Sequence, residues 1–317
     1  MIISRRRFIY TCVALSALSA LSVCIGSNAT VAASGAVDLS PQQTGRIRTT
    51  ANPEAIAALK NYRFTRPGTL TVAISPHGPP TATYATDART VIGSDADYAQ
   101  LVADSLGLKL EIVPITWTDW PLGLTSGKYD AVISNVGVTE QRKEKFDFTT
   151  YRQGLHGFYV RTQSPIKKLA EPKDIAGLRI ITGSGTIQEK ILLEWNRQNV
   201  AKGLKPIELQ YFDDDSTART ALLSGRADAE LNPNAPLAYD AATTGAVRAV
   251  GTVNAGWPLK ADVAIATRKG SGLVDALTIS TNGLIQNGTY QKSLARWGIQ
   301  GEALERAESN PPGLPKF

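Results

Sequence analysis

The sequence predicts an α/β fold in two lobes, and three observations carry that expectation. From Leu70 onward, strand-like apolar runs alternate with helix-like amphipathic stretches, the mark of largely parallel sheets flanked by helices. The chain has 317 residues, and setting aside an export leader of 33 leaves 284, a length that suits two domains. Finally, two strands run into clusters of small polar residues, Ser134-Asn135-Val136-Gly137 and Gly183-Ser184-Gly185-Thr186, which offer backbone amides at strand ends.

The leader comes first. Ser4-Arg5-Arg6-Arg7-Phe8-Ile9 precedes an apolar run to about Ile25, and Val31-Ala32-Ala33 supplies the small residues a signal peptidase needs. The arginine pair before Phe8 fits a twin-arginine signal, and a Sec signal with a basic start fits as well. Val23 beside Cys24 suits a lipoprotein signal poorly. No other apolar run reaches the ~20 residues that crossing a bilayer requires, so a soluble protein outside the cytoplasm is expected.

Composition narrows the function. Without the three arginines of the leader, which holds no acid, the formal net charge falls from +6 to +3. The basic residues are scattered, which argues against a nucleic-acid partner. Cys12, Cys24 and Met1 all lie in the leader, so no disulfide, thiol chemistry or sulfur of any kind remains. Two readings of that absence stay open: avoidance of oxidisable side chains outside the cell, or expression under sulfur scarcity with a sulfur compound as ligand. His77 and His156 stand far apart with no cysteine or HExxH pattern nearby, so neither a metal site nor a cofactor is expected.

Residues 34–67 read as a linker followed by a peripheral helix from Pro53 to Leu59 capped by Asn52. Leu70 to Ile74 is a strand, Asp95 to Leu106 a helix stopped by Gly107, and Leu108, Leu110 and Ile112 alternate as the next strand. The loop between, with His77 and Tyr84, follows a parallel strand, where α/β sheets hold ligands. Trp117, Trp120 and Leu124 have helical spacing and read as core or lobe-edge residues rather than stacking platforms. Ala131 to Ile133 is a buried strand that breaks at Ser134 into a cup of free amides. Thr139 caps a short charged helix that brings Arg142 back to the same strand end. An arginine beside exposed amides is a carboxylate receptor; the plainer alternative pairs Arg142 with Glu140 or Glu144.

Leu155 to Val160 reads as a strand, with His156 structural, before a crossing near Val160 to Ser164. Leu178 to Ile181 then runs into Gly183-Ser184-Gly185-Thr186, and Ile187, Ile191 and Trp195 mark one face of a helix. Gln188 stands where a dinucleotide fingerprint needs its third glycine, and a P-loop lysine is missing. An anion-binding helix N-terminus with the Thr186 hydroxyl is the better reading, with simple capping as its alternative. Ile207 to Phe212 is a strand, Asp213-Asp214-Asp215 caps a helix from Ser216 to Leu223, and Ala261 to Ala266 is a further strand. Helices from Gly272 to Gln286 and Thr289 to Trp297 follow, and the Pro-rich tail after Asn310 reads as an extended strap or as unstructured.

Residues 127–148, GKYDAVISNVGVTEQRKEKFDF, resemble the signature of the polar-amino-acid family of periplasmic solute-binding proteins, family 3. The resemblance runs from about Gly68 to Ile299 through residues 93–113, 169–186, 222–231 and 284–299. It implies a two-lobed periplasmic-binding-protein fold of the Venus-flytrap kind, type II-like, with a two-strand hinge. The first lobe would take residues 68–160 and 255–317, the second 161–254. It further implies a periplasmic monomer that delivers an amino acid or related organic anion to an inner-membrane ABC permease. Arg142 would clamp the ligand's carboxylate beside Ser134, Asn135 and Gly137, with Gly185, Thr186 and Gln188 closing from the second lobe. The sequence departs from the family at two places. Gly78 stands at the position of an aromatic wall, for which Tyr84 is a substitute. Pro233 stands where amino-acid binders carry an ammonium-neutralising acid, leaving Asn232, Asn234 or Glu230 for that role, or a ligand without a conventional α-amino group. The alternatives are a cyclohexadienyl dehydratase-like enzyme using Glu230 and a periplasmic sensor module.

Overall fold

A computed structural model describes residues 37–60, 62–212 and 214–316. The leader, with Cys12, Cys24 and the cleavage site at Val31-Ala32-Ala33, lies outside the described residues.

In chain order, α1 (Pro53–Ala58) and β1 (Thr69–Ile74) precede a small hairpin of β2 (Thr83–Tyr84) and β3 (Val91–Ile92). Next come α2 (Ser94–Ser105), β4 (Lys109–Pro114), α3 (Trp120–Thr125), β5 (Ala131–Gly137), β6 (Phe146–Gln153) and β7 (Leu155–Arg161). The chain continues with β8 (Arg179–Ile181), α4 (Ile187–Ala201), β9 (Glu208–Gln210), α5 (Asp215–Leu223), β10 (Ala229–Pro233), α6 (Asn234–Thr244) and β11 (Val247–Asn254). It ends with β12 (Asp262–Arg268), α7 (Leu273–Gln286) and α8 (Thr289–Arg296). Caps explain several boundaries: the Asn52 side chain accepts from the amides of Glu54 and Ala55 at α1, and Asp214 accepts from Thr217 at α5, while Asp213 lies outside the described residues.

The strands form two five-stranded sheets, ordered β4-β1-β5-β12-β6 and β11-β7-β10-β8-β9. β1 runs parallel to β4 and β5, and β8 parallel to β9 and β10, while β12 and β7 are antiparallel to both of their neighbours. The inner strands of each sheet are buried on both faces, because alternate side chains of one strand enter different cores. Val72 and Ile74 pack with Leu101 and Leu277, whereas Ala73 packs with Trp120 and Phe148. In the second sheet, Ile180 and Phe158 join Trp195 while Ile181 and Tyr159 join Leu222.

The chain crosses between sheets at Gly154, between β6 and β7. The sequence reading assigns residues up to 160 to the first lobe, but β7 pairs with β10 and β11 and belongs to the second. A side chain at Gly154 would place its Cβ 2.6 Å from the Ala261 carbonyl and 2.7 Å from the Ala255 Cβ, so the two crossing segments approach closely only because this residue is glycine. Ala255 N–H donates to the Gly154 carbonyl at 3.3 Å, tying the outgoing and returning segments together.

The tail forms a strap. Asn310 N–H donates to Phe148 O at 2.8 Å, and Leu314 pairs with the segment after β5, donating to Val138 O and accepting from Glu140 N–H, both at 2.9 Å. The Leu314 side chain is fully buried in the second-lobe cluster that holds Phe158, Ile187 and Trp195. No helix among the described residues is long and apolar enough to cross a membrane.

Candidate functional site

At the end of β5 the strand does not break at Ser134, as its small polar residues suggest, but continues to Gly137. Pairing with β12 carries it onward: Val136 and Gly137 face Ala264 and Val263, and the register shifts between Ala264 and Ala266. The irregularity falls near Asn135, which adopts φ +53°, a left-handed conformation that asparagine tolerates better than most residues. Two of the expected free groups are engaged within the fold. Ser134 Oγ accepts from Ser75 N–H at 2.9 Å, and Asn135 N–H donates to Tyr151 Oη at 3.3 Å.

Thr139 starts the following turn, its hydroxyl accepting from Arg142 N–H at 2.9 Å, although the turn is a short 3-10 segment, Arg142–Glu144, rather than an α-helix. Arg142 Nη1 donates to Gly137 O at 2.9 Å and Nη2 to Gly185 O of the other lobe at 3.3 Å. Its guanidinium carbon lies 5.6 Å from the Trp117 ring centre and 5.5 Å from that of Trp120. Spacing alone assigns these tryptophans to the core or the lobe edge. Trp120 is indeed buried, yet both also form an aromatic floor beneath the cation.

Desolvation pulls the Arg142 guanidinium down to about 10, so at neutral pH it remains a cation. Among the described residues no carboxylate pairs with it. Glu140 instead accepts from Lys143 Nζ at 3.1 Å and Gly313 N–H at 2.9 Å, and Glu144 from Lys316. Two carbonyls and the aromatic faces engage the guanidinium without neutralising its charge, and further N–H donors remain. A desolvated cation in that state is stabilised by an incoming anion, and guanidinium geometry favours a carboxylate.

The opposing turn on the second lobe differs. Thr186 is the N-cap of α4: its hydroxyl donates to Gly183 O at 2.6 Å and accepts from Glu189 N–H at 3.2 Å. Gly185, at φ +69°, donates its N–H to Glu189 Oε2 at 2.7 Å, and Tyr211 Oη donates to the other oxygen of that carboxylate at 2.7 Å. The groups that the sequence reading aims at a ligand are thus engaged within the turn, because Glu189 supplies its own anion to the helix N-terminus. Gln188 is buried on the first turn of α4. Ile187 reaches across to the first lobe: a Cβ at Gly137 would lie 2.3 Å from its Cδ1. Lys190 also reaches across, to the Gln141 side chain.

The remaining candidates are dispersed. Glu230 pairs in register with Tyr159 and Ile181, so its side chain shares their face under α5, beside Ala221 and Leu222. Burial raises its carboxyl to about 7 against the Asn232 hydrogen bond and Arg219 charge that favour the ionised form. Asn232 lies opposite Gly157, and Asn234 Oδ1 accepts from Tyr159 Oη at 3.2 Å. Pro233 pairs with His156, whose ring nitrogens have no hydrogen-bond partner among the described residues and which burial holds down at about 3. Tyr84 is 45 % exposed, and His77, also exposed, lies 6.1 Å from the Trp117 ring. No cluster of three or more metal-ligating side chains occurs among the described residues. The structure therefore gathers Asn135, Gly137, Arg142 and Gly185, holds Ser134 and Thr186 in internal bonds, and leaves Asn232 beside Glu230.

The chain is similar to known proteins over most of its length. The profile of bacterial extracellular solute-binding proteins, family 3, matches residues 70–300. An L-cystine-binding protein of Escherichia coli (strain K12) is 32% identical over 166 residues, 52% of this chain and 58% of the relative. An arginine-binding protein of Corynebacterium glutamicum is 28% identical over 265 residues, 83% of this chain and 82% of the relative. Among solved structures, an ancestral arginine-binding protein bound to arginine superposes with a TM-score of 0.63 at 28% identity, covering 73% of this chain and 98% of that one.

Proposed function

The chain belongs to family 3 of the bacterial extracellular solute-binding proteins, and on that premise we propose that it is the periplasmic receptor of an ABC importer. Its ligand is an amino acid or a related small carboxylate or sulfonate, held between the lobes. The observation that carries the reading is Arg142, a desolvated cation without a carboxylate partner among the described residues, bonded to both lobes at once. Arg142 and its aromatic floor capture the anionic head on the first lobe. Contacts with Gly185 and Ile187 then favour the closed arrangement, which an inner-membrane permease recognises. The sulfur-free sequence after the leader, together with a cystine-binding relative, makes L-cystine the first solute to try. Nothing in the geometry favours the dehydratase alternative, since Glu230 faces α5 instead of the seam around Arg142.

A thermal-shift screen over L-cystine, L-arginine, L-glutamine and small sulfonates tests the proposal. A ligand at 100 times its Kd stabilises the folded state by about 2.7 kcal/mol, a rise of several degrees in Tm. The expected result is such a rise for at least one solute and its loss in Arg142→Ala. A rise that survives that substitution overturns the assignment.

A further inference from the structure

A second guanidinium approaches the end of β5 from within the first lobe. Arg152 is 2 % exposed; its Nη2 donates to Asn135 Oδ1 at 2.5 Å, while Nη1 pairs with Glu302. Its guanidinium carbon lies 5.9 Å from the centre of the Tyr151 ring, which Tyr98 stacks against at 4.7 Å. Tyr151 Oη in turn donates to Asp95 Oδ1 at 2.9 Å and accepts the Asn135 backbone N–H. Arg152 and Tyr151 of β6 thus converge on Asn135, which already has a left-handed backbone, and Glu302 and Asp95 hold the two in place.

The consequence follows from what each group is able to do. An asparagine amide has an accepting oxygen and a donating nitrogen, and a guanidinium only donates. Turning the Asn135 amide over would set donor against donor, so Arg152 fixes the oxygen inward. Nδ2 becomes the open end of a half-buried side chain, and it has no hydrogen-bond partner among the described residues. This donor lies two residues before Gly137, whose carbonyl anchors Arg142.

We propose that Arg152, held by Glu302 and the Tyr151 ring, is a positioning residue that orients the Asn135 amide so that Nδ2 joins Arg142 as a second donor for an anionic ligand. The inference rests on the reading of this strand end as an anion receptor. Without Arg152 the amide is free to present its oxygen, which repels a carboxylate.

The test has one arm that needs no ligand. In the ligand-free, 15N-labelled protein, the Asn135 side-chain NH2 is expected as a single pair of resonances exchanging with water. Arg152→Lys, still a pure donor, keeps that pattern, whereas Arg152→Gln, which both donates and accepts, splits or broadens it. An Asn135 amide protected from exchange, or one unchanged in Arg152→Gln, overturns the proposal. The second arm uses Asn135→Asp, which preserves the contact with Arg152 but replaces the donor with an acceptor. With L-cystine, L-arginine and L-glutamine as probes, affinity should fall at least tenfold while Tm stays level or rises; undiminished affinity overturns the proposal. If no probe saturates the unaltered protein, the receptor function itself is in doubt, and the amide resonances still decide the role of Arg152.

Discussion

The two turns that meet between the lobes differ in what they leave unsatisfied. On the first lobe, Arg142 is a half-buried cation that donates to two carbonyls while its charge meets no acid among the described residues. On the second, the N-terminus of α4 has Glu189 folded back onto Gly185 and the Thr186 hydroxyl locked into the turn. A helix start that already holds a carboxylate has little further attraction for another. In the proposed receptor, selection for an anion therefore resides on one side of the seam, and the other side contributes shape and a backbone carbonyl.

The largest expected effect breaks the charged side. Arg142→Ala should weaken binding of the cognate anion by about 2–4 kcal/mol, roughly 30- to 1,000-fold by titration calorimetry. Its Tm without ligand should hold or rise, since a desolvated charge is removed. A pH series then sets the two lobes against each other, because each carries an acid that burial pushes far up, Asp95 to about 6 and Glu230 to about 7. Raised carboxyl values mean that the folded form holds its protons more tightly. The stabilisation these two carboxyls contribute is complete below about pH 4 and is lost as pH rises through 6 to 7, by roughly 3 kcal/mol or less for Glu230, while the buried neutral His156 acts in the opposite sense. Denaturant melts of Glu230→Gln should lose the upper part of that slope, and those of Asp95→Asn the lower part.

A smaller effect sharpens the picture of closure. Gly137→Ala pushes the flexible end of Ile187 away, so affinity should fall about tenfold, or about 1.4 kcal/mol, with Arg142 untouched. Smallest is Thr186→Ala: loss of the cap should lower stability by about 1 kcal/mol while affinity stays within twofold. A large affinity loss there would give the second lobe a share in anion recognition and erase the contrast.

Local physics was legible in the sequence. The Asn52 and Asp214 caps, the alternation from Leu70 and the return of Arg142 to the β5 end all follow from short-range rules, and they appear in the structure. What escaped depends on distant partners. The run Leu155–Val160 shows that a strand is buried without showing which sheet it joins, so the crossing at Gly154 was placed too late. Ser134, Asn135 and Gly137 have turn composition, and pairing with β12 overrides it. The self-contained second turn did carry a signal: Thr186 followed three residues later by Glu189 is the spacing of a capping box. The part played by Arg152 and Glu302 joins residues 150 positions apart, and no local pattern reports it.

The strap has a practical consequence for anyone who builds a reporter from this protein. With Leu314 inserted under the opposite lobe and Lys316 clasped by Glu144, cargo fused behind the last residues emerges beside the seam that the proposed closure works on. A fluorophore, bead or histidine tag attached there would bias the opening it was meant to observe. The exposed Lys202–Lys205 corner after α4, remote in sequence from the strap, is the better anchorage.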